Sequence, residues 1–375
     1  MSDEPVRIAV VGYGYWGPNL LRVLIETPGV SVEAVVDLDP ARLDLARRRY
    51  PQVRAFREDY EDLLDGGIDA FVVATPPETH FTVARSALER DLDVLIEKPL
   101  ATSSADGARL VELADAHGRI LMVGHTFVYN PAVRALKAIV DSGELGEIRY
   151  VDSVRVSLGL FHPRLNTVWD LAPHDVSILL YLLGEAPSSV STRGIACVRD
   201  GVEDVAYMTL LFSSGILAHS RMSWLDPCKT RRTTVVGSSK MAVYDDLESH
   251  EKVRIYDKNV NSIRRTDTYG DFQFAYHYGS VVSPFIHFEE PLRLECAHFV
   301  DCVSSRARPL TDGRNGLQVV QVIEAAQRSL TAHGRMVQTG LDRPGVVSLT
   351  PGASDGGGSP HLDELVGAIE GGKGP

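Results

Sequence analysis

The sequence predicts an α/β protein in two domains, the first built on a doubly wound parallel sheet and the second on a further set of strands with helices. Three observations carry this. At 375 residues the chain is longer than the roughly 250 to 300 at which one hydrophobic core stops growing, so it should divide. Residues 6–124 alternate strand-like apolar runs with stretches of helical spacing, which implies parallel strands with crossover helices. Strand-like runs then recur between 148 and 256. The expected organisation is a first domain over 1–124, a second over 125–345, and a tail over 346–375. From Pro351 the tail is rich in Gly, Ser, Pro and Asp and is expected to be disordered, because such a composition buries too little apolar surface.

The first strand is VRIAVV at 6–11, and helical spacing begins near Trp16 and runs to Ile25. Between them stands Gly12-Tyr13-Gly14-Tyr15-Trp16-Gly17, a GxGxxG turn. One glycine suits the tight turn, one the approach of a pyrophosphate, and one the packing of helix on strand. Pro18 fits the first helical turn. A second strand over Val32–Val36 ends in Asp37, 20 residues after Gly17, where a carboxylate would bind the adenine ribose hydroxyls of a dinucleotide. That carboxylate would repel a 2′-phosphate, so NAD is favoured over NADP; the competing reading makes Asp37, beside Asp39-Pro40, a cap of the next helix. Further strands are expected at 70–74, 94–96 and 120–123, with helices at 80–89 and 103–117. Ligands lie at the carboxyl ends of such strands, which brings Thr75-Pro76-Pro77, Glu97-Lys98-Pro99 and Gly124-His125 to one crevice.

Composition excludes several classes. With 44% hydrophobic and 23% charged residues the chain is globular, and a net charge of −12 without clustered basic residues argues against nucleic acid. The densest basic run, Arg47-Arg48-Arg49, reads as an exposed helix face. No apolar run reaches the roughly 18 residues of a membrane span, and the start (Ser2, Asp3, Glu4) lacks a basic signal region, so a cytoplasmic protein is expected. Four cysteines without a CxxC pair fit a reducing compartment; Cys296, His298 and Cys302 read as a helix flank, and no metal is expected.

Four stretches, GYGYWG at 12–17, TPPETH at 75–80, EKPL at 97–100 and WDLAPHD at 169–175, resemble the glucose-fructose oxidoreductase, inositol dehydrogenase and rhizopine-catabolism oxidoreductase family (Gfo/Idh/MocA) along nearly the whole chain. Within it, GHTFVYNPAV at 124–133, SWLDPCKTRRTTVVGSSKMAVYDD at 223–246 and EPLRLECAHF at 290–299 are similar to the branch that oxidises nucleotide-linked sugars at C3, such as dehydrogenases of UDP-N-acetylglucosamine and its uronate. The resemblance implies a Rossmann first domain and a second domain with a large open, mostly antiparallel sheet. One face of that sheet would pack on helices and the other would meet a second subunit in a homodimer or homotetramer. Strand-like runs at 148–158, 190–197, 207–212, 216–224, 233–236 and 252–256 supply such a sheet, with Ser213-Ser214-Gly215 as a hairpin signal. The aromatic stretch Tyr269–Phe288 reads as oligomer contact rather than a binding loop.

The resemblance also implies cofactor contacts at Gly12, Gly14, Tyr15, Trp16, Gly17, Asp37, Thr75, Pro76, Pro77, His80, Glu97, Lys98 and His125. Lys98 would reach both the nicotinamide ribose and the substrate hydroxyl, and its bond to Pro99 is often cis in this family. Oxidising a secondary alcohol needs a base for the hydroxyl proton and a group to steady negative charge on oxygen. Asp170 and His174, four residues apart at a helix start with Pro173 in its first turn, supply candidates: His174 as proton acceptor, Asp170 orienting it or binding a hydroxyl. Asp170 as a helix cap and His174 as a satisfied first-turn residue is the plainer reading, and Asp175 fits either role. Asn130, Arg155 and Arg164 are weaker candidates for substrate hydroxyls or phosphates, and Arg231 and Arg232 for the same groups or for solvent. The expected activity is NAD-dependent oxidation of a ring hydroxyl of a nucleotide-linked sugar. A free cyclitol or monosaccharide dehydrogenase, a keto-sugar reductase, an NAD-dependent glycosidase and a non-catalytic NAD-responsive regulator are the alternatives.

Overall fold

The computed structural model describes residues 4–159, 161, 165–261 and 275–341. Arg164, the 346–375 tail and residues 269–274 of the aromatic stretch lie outside them.

The first sheet is assembled from β1 (Val6–Val11), α1 (Gly17–Glu26), β2 (Val30–Val36), α2 (Pro40–Arg49), β3 (Ala55–Arg57), β4 (Ala70–Val73), α3 (Pro77–Leu88), β5 (Asp93–Glu97), α4 (Ser104–His117) and β6 (Leu121–Gly124). Its six strands run parallel in the order β3-β2-β1-β4-β5-β6, a doubly wound arrangement. Every residue of β4 and all but Glu97 of β5 is buried, as expected of central strands covered by helices on both faces. β3 was not expected: three residues at the sheet edge, the last of them Arg57, carry no apolar run to read.

The glycine turn follows steric logic. Gly12 sits at φ +101°, and a Cβ there would lie 2.5 Å from the Ala74 carbonyl oxygen. At Gly17 a Cβ would lie 2.0 Å from the Gly12 carbonyl oxygen. At Gly14 a Cβ would meet only the Arg42 guanidinium, at an ordinary 3.6 Å, so backbone is presented where a phosphate can approach. Trp16 takes the N-cap position of α1, with Pro18 in the first turn.

The second part of the chain holds α5 (Pro131–Asp141), β7 (Ile148–Leu158), α6 (Thr167–Leu183), β8 (Pro187–Ile195), β9 (Val205–Phe212), β10 (Leu217–Ser223), β11 (Leu225–Gly237), β12 (Met241–Asp245), β13 (Val253–Asn261), β14 (Ala275–Val282), α7 (Pro291–Ser305), α8 (Gly313–Thr331) and β15 (Val337–Gln338). Its strands form one nine-stranded sheet, β14-β13-β12-β11-β7-β10-β9-β8-β15. All neighbours are antiparallel except β7 and β10. One face packs on α5, α6 and α8 through Leu136, Val176, Leu180 and Ile323, among others. The other face and the β14 edge leave Tyr150, Tyr207, Leu217, Tyr276 and Tyr278 exposed.

Two helices close back on the first sheet. α7 packs on α1, and α8 packs on α4 and β6. Gly313 and Gly316 allow the close approach of α8, since a Cβ would lie 2.6 Å from a Leu121 methyl and 2.5 Å from a Val123 methyl respectively. No helix among the described residues is long and apolar enough to cross a membrane.

Replacing Gly17 with Ala forces its new methyl onto the Gly12 carbonyl and displaces the turn. The expected cost is about 1 to 3 kcal/mol, with weakened NAD binding; thermal melts and calorimetric NAD titration of G17A check both.

Candidate active site

Asp37 ends β2 only 8% exposed. Its carboxylate accepts the Tyr13 N–H at 2.7 Å and the Asp39 N–H at 2.9 Å, and Arg42 approaches to 3.5 Å. It therefore braces the glycine turn, while the cap of α2 is Asp39, which accepts the Ala41 N–H at 2.9 Å. Tyr15 stands at the turn with its ring exposed. The open backbone at Gly14, the close-packed Gly12 and Gly17 and the acid at the end of β2 together suit a dinucleotide.

The buried His80, in the first turn of α3, lies between two loops of the crevice. Its Nδ1 lies 2.8 Å from the Pro99 carbonyl and its Nε2 2.9 Å from the Thr75 carbonyl. Burial holds its pKa below the usual histidine value, so the neutral ring donates to one carbonyl only. Thr79 Oγ1 lies 2.8 Å from Thr75 Oγ1 and donates to one hydroxyl or carbonyl neighbour, with the Pro76 carbonyl also at 2.8 Å.

β5 delivers Lys98, joined to Pro99 by a cis peptide bond. Its ammonium donates to the Asp170 carbonyl at 2.9 Å and to Asp170 Oδ1 at 3.3 Å. Asp170 Oδ2 accepts the Trp224 indole N–H at 3.1 Å. Asp170 thus sits between a lysine from the first sheet and a tryptophan, almost wholly buried, from the junction of β10 and β11. The helix that carries it corrects the sequence expectation. α6 starts at Thr167, capped by Asn166, whose side chain accepts the Trp169 N–H at 3.2 Å; Pro173 is interior and Asp170 is not the cap. Asn166 satisfies the helix start, leaving Asp170 free to serve the cleft.

His174 lies one turn along α6. Its ring meets Phe127 edge-on at 5.1 Å, and Nδ1 is buried without a hydrogen-bond partner. Burial, then the Lys98 and Arg155 charges, hold it well below the usual histidine range, so it is neutral. His125 shares this neutrality: burial and Lys98 push it down to about 3, and both ring nitrogens lack partners.

Phe127 is also covered by the Arg155 guanidinium at 4.4 Å and the Arg231 guanidinium at 5.8 Å. Arg155 is buried and paired to the buried Asp175 at 2.7 Å, with Ser220 donating to the second Asp175 oxygen at 2.8 Å. Arg231 pairs with Asp246 at 3.3 Å, and Arg232, next along β11, is exposed opposite Asp245. Asn130 is buried beneath this floor. Its Oδ1 accepts the Ala132 N–H at 2.9 Å as the cap of α5, and its Nδ2 donates to Tyr244 at 3.1 Å and to Asp246 at 3.4 Å. Lys98, Asp170 and His174 thus meet at the crevice, with Arg155 just behind. Sequence reading missed Trp224, Phe127 and Asp246; an indole between the small Ser223 and Leu225 at a strand junction was the one visible signal.

Residues 6–125 match the model of the oxidoreductase family with an NAD-binding Rossmann fold, and residues 133–243 match the GFO/IDH/MocA C-terminal domain. The chain belongs to the Gfo/Idh/MocA oxidoreductase family. This family member is 27% identical to the scyllo-inositol 2-dehydrogenase (NAD(+)) of Bacillus subtilis, over 91% of this chain and 98% of that one. It is also 27% identical to the UDP-N-acetylglucosamine 3-dehydrogenase of Acidithiobacillus ferrooxidans, over 69% and 79%. The solved structure of that A. ferrooxidans enzyme, GnnA, superposes with a TM-score of 0.72 at 23% identity, covering 87% of this chain and 98% of the other. GenD2 from gentamicin A biosynthesis, solved with NAD, gives 0.74 at 24%, covering 89% and 96%. The family, its NAD-binding domain and its dehydrogenase relatives make this chain an NAD-binding oxidoreductase.

Trp224→Phe keeps the aromatic volume but removes the donor to Asp170. The expected result is a fall in kcat of about three- to tenfold with NAD affinity unchanged, read from steady-state kinetics beside a calorimetric titration.

Proposed function

We propose that the protein oxidises a ring hydroxyl, at C3, of a nucleotide-linked sugar. The observation that carries the reading is the meeting of Lys98 with Asp170, one helical turn from neutral His174, at the carboxyl edge of the parallel sheet. NAD, when bound, supplies the hydride acceptor. Lys98 donates a hydrogen bond to the substrate oxygen and stabilises the negative charge that develops there. His174 is the base that takes the hydroxyl proton, its ring unprotonated at neutral pH. Asp170, anchored by Trp224, holds the lysine against the crevice.

The glycine turn residues, Asp37, the Thr75-Pro76-Pro77 loop and Glu97 border the cofactor in this reading, with His80 and His125 supporting it from within. Arg231, at the rim beside Asp246, suits the diphosphate of a nucleotide sugar better than the buried Arg155 or Asn130. The second reading, a free cyclitol or monosaccharide as substrate, is favoured by the near full-length likeness to the inositol dehydrogenase. The exposed aromatic and aliphatic side chains on the outer face of the large sheet suit contact with a second copy of the chain.

NADH formation should appear with UDP-glucose, UDP-N-acetylglucosamine or their uronates. Activity with inositols alone transfers the assignment to the second reading, and silence on every polyol and nucleotide sugar overturns both.

Lys98→Met should lower kcat about a hundredfold or more and leave NAD binding largely intact. Because the His174 value is depressed, the acid limb of kcat/KM against pH should fall below about pH 6.5, the ordinary histidine value, in a pH-rate profile.

A further inference from the structure

Glu295, in the second turn of α7, has none of its surface exposed, and both carboxyl oxygens are buried without a well-formed hydrogen bond, the Thr126 hydroxyl approaching only as a weak donor. The mechanism above does not use it. α7 packs against α1, which begins at Trp16, and against the 3-10 turn Thr126–Tyr129 that follows β6.

A second acid, Glu97, is near enough for its charge to act on Glu295. Glu97 Oε1 is also buried without a well-formed hydrogen bond, while Oε2 accepts the Lys98 N–H at 3.2 Å. The carboxyl group lies flat on Gly124, where a Cβ would come within 3.2 Å of it, so no larger residue fits there without moving it. The Trp16 indole N–H is buried without a well-formed hydrogen bond, yet lies near enough to the Glu97 carboxyl to act on it as a weak donor. Four polar atoms from three segments, two on Glu295 and one each on Glu97 and Trp16, are therefore withdrawn from water, and Glu97 interacts with both of the other residues.

An isolated buried carboxylate is costly enough that it takes up a proton instead. Burial, then the like charge of Glu97, hold the Glu295 carboxyl well above its usual range, with Thr126 opposing. Burial raises Glu97 to about 7 against the pull of the Lys98 ammonium, the Lys98 N–H and Trp16. Among the described residues facing Glu295, Tyr129 and Cys296 are kept neutral by burial, and the Lys98 ammonium is turned to Asp170. Neighbouring His125 is neutral as well.

We propose that Glu295 is a positioning residue for the cofactor edge: its carboxyl group donates a hydrogen bond to Glu97, directly or through a bound water, and so fixes Glu97 and the Lys98 backbone in one orientation. The inference rests on the proposed role of Lys98 and deepens it. It explains why an acid stands where an apolar side chain would pack, since a neutral carboxyl is both small and a strong donor.

The first test needs neither cofactor nor substrate. Infrared spectra of the intact protein at about pH 8.5, above the Glu97 titration, should retain one protonated-carboxyl band that E295Q lacks. Absence of the band from the unsubstituted protein, or its survival in E295Q, overturns the proposal. The second test is kinetic. E295L, which has no donor, should lose about tenfold in kcat with little change in KM, and E295Q, whose amide still donates, should recover most of that loss. An E295Q as impaired as E295L, or an E295L with undiminished kcat, contradicts it. Should E295L fail to fold, the infrared pair decides alone; should no sugar be oxidised, the same pair still decides, so failure of the substrate assignment stays distinct.

Discussion

Everything at the crevice is organised around the Asp170 carboxyl group, which receives the Lys98 ammonium on one oxygen and the Trp224 indole on the other. The three residues come from the end of β5, the first turn of α6 and the junction of β10 and β11, so one carboxylate joins the two sheets. A side chain held at both oxygens has little rotational freedom left, and the lysine that it anchors inherits that order. The hydrogen bond from Lys98 to the Asp170 main-chain oxygen adds a constraint that survives rotation of the carboxyl group.

Around that centre the electrostatics are balanced pair by pair. Arg155 answers Asp175, Arg231 answers Asp246, and Lys98 answers Asp170. The histidines among them are thereby left without a counter-charge, and burial keeps them unprotonated. A neutral imidazole beside an ammonium fits the proposed alcohol oxidation, which would use a base next to a charge-stabilising donor. The aromatic ring of Phe127 serves as the shared wall for His174, Arg155 and Arg231, holding three polar groups in place through one apolar surface.

What the sequence made legible was whatever is local. The run at 6–11, the three glycines and the acid at 37 are close in the chain, and strand, turn and helix follow from their spacing. β7 was readable over its whole length for the same reason. β3 was not, being three residues long at an edge, and the five-residue β12 likewise went unread. Pro173 misled because proline usually marks a helix start, whereas the effective cap, Asn166, stands seven residues earlier behind no hydrophobic signal. Trp224 lies 54 residues from the carboxylate that it serves, and no periodicity reports a contact across that separation.

The return of α7 and α8 to the first sheet has a further consequence. Cys296, Phe299 and Val300 of α7 share a core with Leu20, Leu24 and Met122 of the NAD-binding fold, and Val320 of α8 joins the core under β6. The amino-terminal third is therefore not a module that evolution or an engineer can lift out and fuse elsewhere intact. Cut after position 124, it would carry bare apolar flanks on α1 and α4, and its stability is borrowed from the far end of the chain.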